Sequence, residues 1–129
     1  MPLRFVKTNI PEVIEVFYED SFSDDRAVFY NFFFEKLGFT ASIAQVSHSR
    51  SEYGILRGMH YQLHPKAQSK IVRVLYGSIF DVAVDLRKSS STFGEWVGVE
   101  LSREKNNMLC IPEGFAHGFC VTSKEAEVE

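Results

Sequence analysis

The feature that most constrains the fold is a series of short β-branched and aromatic runs that begins at Ile43. Gly, Pro, Ser and Asn separate the runs, a spacing typical of all-β proteins. Residues 71–76 (IVRVLY) stop at Gly77, and residues 79–86 (IFDVAVDL) follow, which predicts an antiparallel hairpin. Side chains alternate along the second strand, so Phe80, Val82, Val84 and Leu86 share one face and Asp81, Ala83 and Asp85 the other.

Further strands are predicted at residues 96–101, 108–111 and 117–122. Their length and spacing indicate a jelly-roll β-sandwich or barrel. The 129 residues suit one domain, residues 1–129. The one helix candidate is residues 31–37, although its FFF run at residues 32–34 fits a strand end equally well. Residues 124–129 alternate as a strand would and end without a predicted partner. We therefore expect either a C-terminally truncated domain or a strand supplied by another subunit.

Composition narrows the classes of partner. The formal net charge is −3, which disfavours nucleic acid. Cys110 and Cys120 lie in apolar runs without metal-type spacing, and buried free thiols are expected. The first residues form no apolar signal segment and no run could span a bilayer, so the default prediction is a soluble cytoplasmic protein without a membrane partner.

The densest polar cluster is residues 55–65 (ILRGMHYQLHP), with His60 at its centre. Gly58 precedes it by two positions, and a glycine inside a strand often marks close approach by a ligand or another backbone. A lone histidine is more often a hydrogen-bonded structural residue than a functional one. The cations and the imidazole that accompany it, Arg57, Lys70 and His117, favour a functional role.

Three segments of the chain resemble one family in the same order and with similar spacing. They are residues 54–62 (GILRGMHYQ), 80–87 (FDVAVDLR) and 111–119 (IPEGFAHGF). They resemble the dTDP-4-dehydrorhamnose 3,5-epimerase family, and the likeness extends over residues 5–129. The resemblance implies a cupin-like jelly roll, a homodimer, and epimerisation at C3, C5 or both of a dTDP-4-keto-6-deoxy sugar. It implies neither a cofactor nor a metal ion.

The resemblance also implies roles for individual residues. Hydrogens on C3 and C5 flank the C4 ketone, so a neutral imidazole can remove one if a cation meets the enolate oxygen. His60 matches the family's base and Lys70 its enolate-stabilising lysine. The family's proton donor is a tyrosine that would follow Glu129, and the acid that orients the base also lies further along. Tyr61 and Tyr76 are expected to pack rather than to donate that proton.

Six further positions are expected to bind substrate by the same resemblance. Arg57 matches an arginine that contacts the diphosphate, as its forked donors suit. Ser47 and Asn31 stand where the family usually has asparagine and glutamate, which leaves the exact sugar open. The complete set is Arg26, Asn31, Gln45, Ser47, Arg57 and His117.

Two alternatives to an epimerase remain at this point. A metal-dependent cupin would use His60, His64 and His117, but this spacing lacks the His-x-His pair and the following Glu typical of those sites, and Pro65 bends the chain. A non-catalytic sugar-nucleotide binding module would follow from the missing donor.

Overall fold

The structure is a computed structural model that describes residues 3–18, 45–61 and 69–129. Within these ranges every regular element is a β-strand. The strands are β1 (Leu3–Lys7), β2 (Ile14–Tyr18), β3 (Ser49–Glu52), β4 (Leu56–His60), β5 (Lys70–Tyr76), β6 (Ser78–Asp85), β7 (Trp96–Ser102), β8 (Asn107–Ile111), β9 (Phe115–Val121) and β10 (Glu125–Val128).

The strands form two antiparallel sheets that face each other as a sandwich. One is six-stranded in the order β1-β2-β8-β5-β10-β3, and the other is four-stranded in the order β4-β9-β6-β7. The predicted all-β jelly-roll sandwich is therefore confirmed. The predicted strands at residues 96–101, 108–111 and 117–122 correspond to β7, β8 and β9.

The main hydrophobic core lies between the two sheets. Val72 and Val74 on β5 contribute from the larger sheet, and Ile79 and Ala83 on β6 from the smaller one. Alternation places Asp81 and Asp85 on this same inward face, while Phe80 points outward and is 39% exposed. The predicted alternation of residues 79–86 is therefore present, and the carboxylate-bearing face is the buried one.

The predicted hairpin between residues 71–76 and 79–86 is wrong. β5 pairs with β8 and β10, whereas β6 pairs with β7 and β9, so the two strands belong to opposite sheets. Gly77 joins them at φ +78°, a left-handed conformation that glycine adopts at little cost. The chain thus crosses from one sheet to the other at Gly77.

The prediction that residues 124–129 have no partner is also wrong. β10 pairs with β3 on one side and with β5 on the other. Beyond the strand, Glu129 exchanges two backbone hydrogen bonds with Arg73, and their side chains form an ion pair of 3.2 Å. The segment is an interior strand of the larger sheet because β3, from earlier in the chain, occupies the edge.

The helix predicted at residues 31–37 lies outside the described residues. The described part of the chain contains no helix with the length and apolar character needed to cross a membrane. Cys110 and Cys120 are both free thiols, the first buried and the second partly buried. Burial raises the pKa of the Cys110 thiol to about 12.

Candidate active site

The candidate site lies on the inner face of the four-stranded sheet, where two neighbouring rows of side chains carry its polar groups. In one row His60 on β4 pairs with His117 on β9, and His117 pairs with Ala83 on β6. In the next row Phe119 on β9 lies between Arg57 and Asp81. Partners in antiparallel strands point to the same side of the sheet, so these rows face the opposing sheet together.

His117 and Asp81 form a buried pair across the two rows. A hydrogen bond of 2.5 Å joins Nε2 of His117 to Oδ1 of Asp81. The His117 residue is 8% exposed and Asp81 is completely buried. Burial raises the pKa of Asp81 above its ordinary value, while the hydrogen bond to His117 and the charges of His117 and Lys70 act in the opposite direction. Because burial of an unpaired carboxyl group costs free energy, a carboxyl group at such a position needs partners of this kind.

Lys70 reaches this pair from the opposing sheet. It begins β5, where it lies opposite Ile111 of β8, and it is partly buried. Burial lowers the pKa of the Lys70 ammonium, and the negative charge of Asp81 partly offsets that effect. The structure therefore brings together Lys70 and His117, two residues that the sequence assigned to the site.

His60 ends β4 and is exposed, with its backbone paired to that of His117. Pairing is irregular between Arg57 and His60, so simple alternation does not hold there. A Cβ added to Gly58 would lie 2.6 Å from the Cα of Gly118 and 2.8 Å from the carbonyl oxygen of His117. The close approach predicted at Gly58 is thus made by the backbone of β9, which brings β4 against His117.

Arg57 is anchored from the side by β3. Its Nε donates a 2.8 Å hydrogen bond to Oγ of Ser51, a buried serine. Gln45 and Ser47 are exposed residues that precede β3, and Nε2 of Gln45 donates to Oγ of Ser47 at 3.3 Å. Within the described ranges, no hydrogen bond links Gln45 or Ser47 to Lys70, His60 or His117.

The remaining residues singled out in the sequence lie either outside the described residues or on the surface. Arg26, Asn31 and His64 lie outside the described residues. Tyr61 and Tyr76 are exposed rather than packed in the core. Among the residues described, no group of three or more His, Cys, Asp or Glu side chains has the arrangement of a metal site.

Asp81 is the site residue that the sequence reasoning missed. The sequence did contain a signal for Asp81, because it lies on the same face of the strand as the apolar residues Ile79 and Ala83. Apolar residues on that face indicate that it is buried. Asp85, two positions on, is buried as well but serves the fold. Its oxygens accept hydrogen bonds from the side chains of Arg87, Ser90 and Thr92, which hold the loop between β6 and β7.

Comparison with known proteins gives one consistent family. The family model described as dTDP-4-dehydrorhamnose 3,5-epimerase matches residues 7–129. The dTDP-4-dehydrorhamnose 3,5-epimerase of Shigella flexneri is 52% identical over 97% of this chain and 71% of its own length.

Solved structures agree with the sequence comparison. The dTDP-4-dehydrorhamnose 3,5-epimerase of Sulfolobus tokodaii superposes with a TM-score of 0.84 at 42% identity, covering 99% of this chain and 73% of the other. The dTDP-6-deoxy-D-glucose-3,5-epimerase of Legionella pneumophila, solved with dTDP-4-keto-L-rhamnose, gives 0.82 at 41% identity, covering 98% and 69%. The chain belongs to the dTDP-4-dehydrorhamnose 3,5-epimerase family, a family of isomerases.

Proposed function

We propose that this chain epimerises a dTDP-4-keto-6-deoxy sugar at C3, C5 or both, in the biosynthesis of a dTDP-rhamnose-type sugar. The observation that carries the proposal is the meeting of Lys70 with the buried His117–Asp81 pair beside His60. This arrangement offers a base and a second imidazole on the smaller sheet and a cation on the larger sheet that faces it. Membership of the epimerase family supports the same chemistry.

In the proposed reaction the neutral imidazole of His60 removes the proton from a carbon next to the C4 ketone. The electron pair of the C–H bond moves into the ring, and the C4 oxygen becomes an enolate. Lys70, partly buried and close to Asp81, supplies the positive charge that stabilises this oxygen. A proton from solvent then adds to the opposite face of the carbon, the ketone re-forms and the centre is inverted, while His60 releases the abstracted proton to solvent.

Substrate binding is proposed to use the remaining residues that match the family. Arg57, whose Nε is held by Ser51, would meet the diphosphate with its other two guanidinium nitrogens. His117 would contact the sugar. Gln45, Ser47, Arg26 and Asn31 complete the proposed set on the strength of the resemblance.

The C4 ketone acidifies the hydrogens on both C3 and C5, so the chemistry permits inversion of one centre or of both. A relative from Streptomyces niveus, 38% identical over 81% of this chain and 53% of its own length, is named a dTDP-4-dehydrorhamnose 3-epimerase. The family therefore includes a protein named for a single centre.

A homodimer and a cytoplasmic location are also proposals. The resemblance supports the dimer, as do large apolar side chains exposed on a single chain, among them Leu56 and Trp96. Free thiols at Cys110 and Cys120 suit a reducing compartment. Sedimentation equilibrium of the purified protein tests the dimer, and a monomer at micromolar concentration would refute it.

The function is tested by incubating the protein with a dTDP-4-keto-6-deoxy sugar in D₂O and following C3 and C5 by NMR. Deuterium uptake with inversion is the expected result. Binding measured by calorimetry without any exchange would replace the enzyme with a sugar-nucleotide binding module. Stoichiometric Fe, Mn or Zn in the purified protein, with exchange abolished by its removal, would favour a metal-dependent cupin.

A further inference from the structure

The two buried aspartates of β6 are satisfied in different ways. Asp85 accepts hydrogen bonds on both carboxylate oxygens from Arg87, Ser90 and Thr92. Asp81 has one side-chain hydrogen bond, between its Oδ1 and Nε2 of His117, and its buried Oδ2 has no partner among the described residues. A carboxyl group held only to stabilise the fold is expected to be fully paired, as Asp85 is. Asp81 therefore needs another explanation.

The hydrogen bond to Asp81 determines which nitrogen of His117 can meet a ligand. When Asp81 is ionised it accepts, so Nε2 of the neutral imidazole carries the proton and Nδ1 is left with its lone pair. Within the described part of the chain, Nδ1 forms no hydrogen bond. The proton on Nε2 and the free Nδ1 are thus two consequences of a single contact.

The charge of the same carboxylate also acts on Lys70, which faces it from the opposing sheet, and partly offsets the lowering of the Lys70 pKa by burial. Titratable groups on the inner side of the smaller sheet are Asp81 and Asp85 on β6, His117 on β9 and His60 at the end of β4. The charge that acts on Lys70 is that of Asp81. The residue opposite Lys70 on β8 is Ile111, which is apolar. Asp85 is already engaged by Arg87, Ser90 and Thr92. Asp81, when ionised, is thus the group that can hold the partly buried ammonium of Lys70 in its charged form.

We propose that Asp81 is a positioning residue, which fixes Nε2 of His117 as the protonated nitrogen, turns Nδ1 toward the substrate and keeps Lys70 cationic. It touches neither the sugar nor the transferred proton. The inference rests on the proposed function and deepens it, because it explains how an enolate-stabilising lysine stays charged although it is partly buried. Both effects depend on the negative charge of Asp81 rather than on its volume.

The wild-type protein provides the first test, which requires no turnover. Long-range ¹H–¹⁵N spectra distinguish the two neutral tautomers of histidine, and a His117→Gln variant identifies the relevant signal. The expected result at neutral pH is His117 with its proton on Nε2, next to an ionised Asp81 observed by its carboxyl ¹³C shift. A proton on Nδ1, or a neutral Asp81, would overturn the proposal.

An Asp81→Asn variant provides the second test, since asparagine retains the volume and removes the charge. Amine-specific labelling followed by mass spectrometry measures the pH at which Lys70 becomes reactive. Loss of the nearby anion lowers the pKa of Lys70, so the variant should be labelled at lower pH than wild type. Asp85→Asn is the matched control on the same strand, and it should leave the labelling curve of Lys70 unchanged.

Activity then separates this inference from the proposed function. If the chain exchanges deuterium, Asp81→Asn should reduce kcat by at least about tenfold, with a smaller effect on KM. An unchanged labelling curve and an unchanged kcat in a folded variant would overturn the inference while the epimerase proposal stands. An altered curve and tautomer in a chain that performs no exchange would support the inference and refute the proposed reaction.

Discussion

Lys70 and Asp81 approach each other from opposite sheets, and the carboxylate partly offsets the lowering of the Lys70 pKa by burial. A positive charge on this partly buried lysine interacts more strongly with a developing oxyanion than it would in water. The hydrogen bond between Asp81 and His117 ties this charge to the inner face of the smaller sheet.

A Lys70→Met substitution should reduce the rate of deuterium exchange by about 10²–10³-fold, the usual cost of losing one oxyanion-stabilising group. Lys105→Met is the matched control, because Lys105 is exposed and pairs with Glu100 on the surface. The reaction needs the ammonium form of Lys70, and burial lowers the pKa of that group. As the pH rises, wild-type activity should therefore begin to fall before the pH reaches the ordinary lysine pKa of about 10.4. A rate that is insensitive to Lys70→Met would remove the lysine from the mechanism.

Replacement of Arg57 by lysine should raise the KM for the dTDP-sugar by about tenfold and leave kcat nearly unchanged. A single ammonium cannot reproduce the forked contact with a diphosphate, nor the simultaneous bond from Nε to Ser51. Steady-state kinetics measures both constants. Arg50→Lys serves as the control, since Arg50 pairs with Glu125 on the outer surface. An equal effect of the two substitutions would argue against a diphosphate contact at Arg57.

Substitution of Gly58 by alanine should destabilise the fold by about 3 kcal/mol or more, since strain at φ +120° adds to a clash with β9. Gly54→Ala is the control: its φ is +79°, but the new Cβ would meet nothing within 4 Å. The control should cost only about 1–2 kcal/mol. Urea denaturation measures both free energies of unfolding, and equal values would contradict the close packing of β4 on β9.

An Asp85→Asn substitution should lower the free energy of unfolding by about 1.5–3 kcal/mol at pH 7, because charged hydrogen bonds to the loop after β6 are lost. The hydrogen bond from Arg87, foremost, holds the pKa of Asp85 well below its usual range. A depressed folded-state pKa stabilises the protein above the unfolded value of about 3.9 and ceases to do so as the pH falls through the folded value. The difference between wild type and variant should thus shrink below about pH 4, and a constant difference would contradict this account.

The sequence was sufficient for the fold class because strand lengths and alternation are local properties. It was not sufficient for the pairing of β5 with its neighbours. A strand, a glycine and a second strand can form either a hairpin within one sheet or a crossing between two sheets. Only the packing of the inner faces decides between them. The same limit explains β10, whose partner β3 lies more than seventy positions earlier in the chain.

The candidate site was predictable in part. Lys70 and His117 came from the resemblance, and the structure brings them together around Asp81. Asp81 was missed because alternation identifies two faces of a strand without saying which one is buried. Once Ile79 and Ala83 are known to point inward, an aspartate between them becomes a buried charge that requires a partner.

The central claim is that His60 is the base, and solvent exchange tests it most directly. Wild type, His60→Ala and His48→Ala are incubated with a dTDP-4-keto-6-deoxy sugar in D₂O, and deuterium at C3 and C5 is followed by NMR. His48 is an exposed histidine near Glu127, which makes it a matched control. The account predicts exchange in wild type and His48→Ala, and its loss in a folded His60→Ala protein. Exchange that persists undiminished in His60→Ala would contradict it.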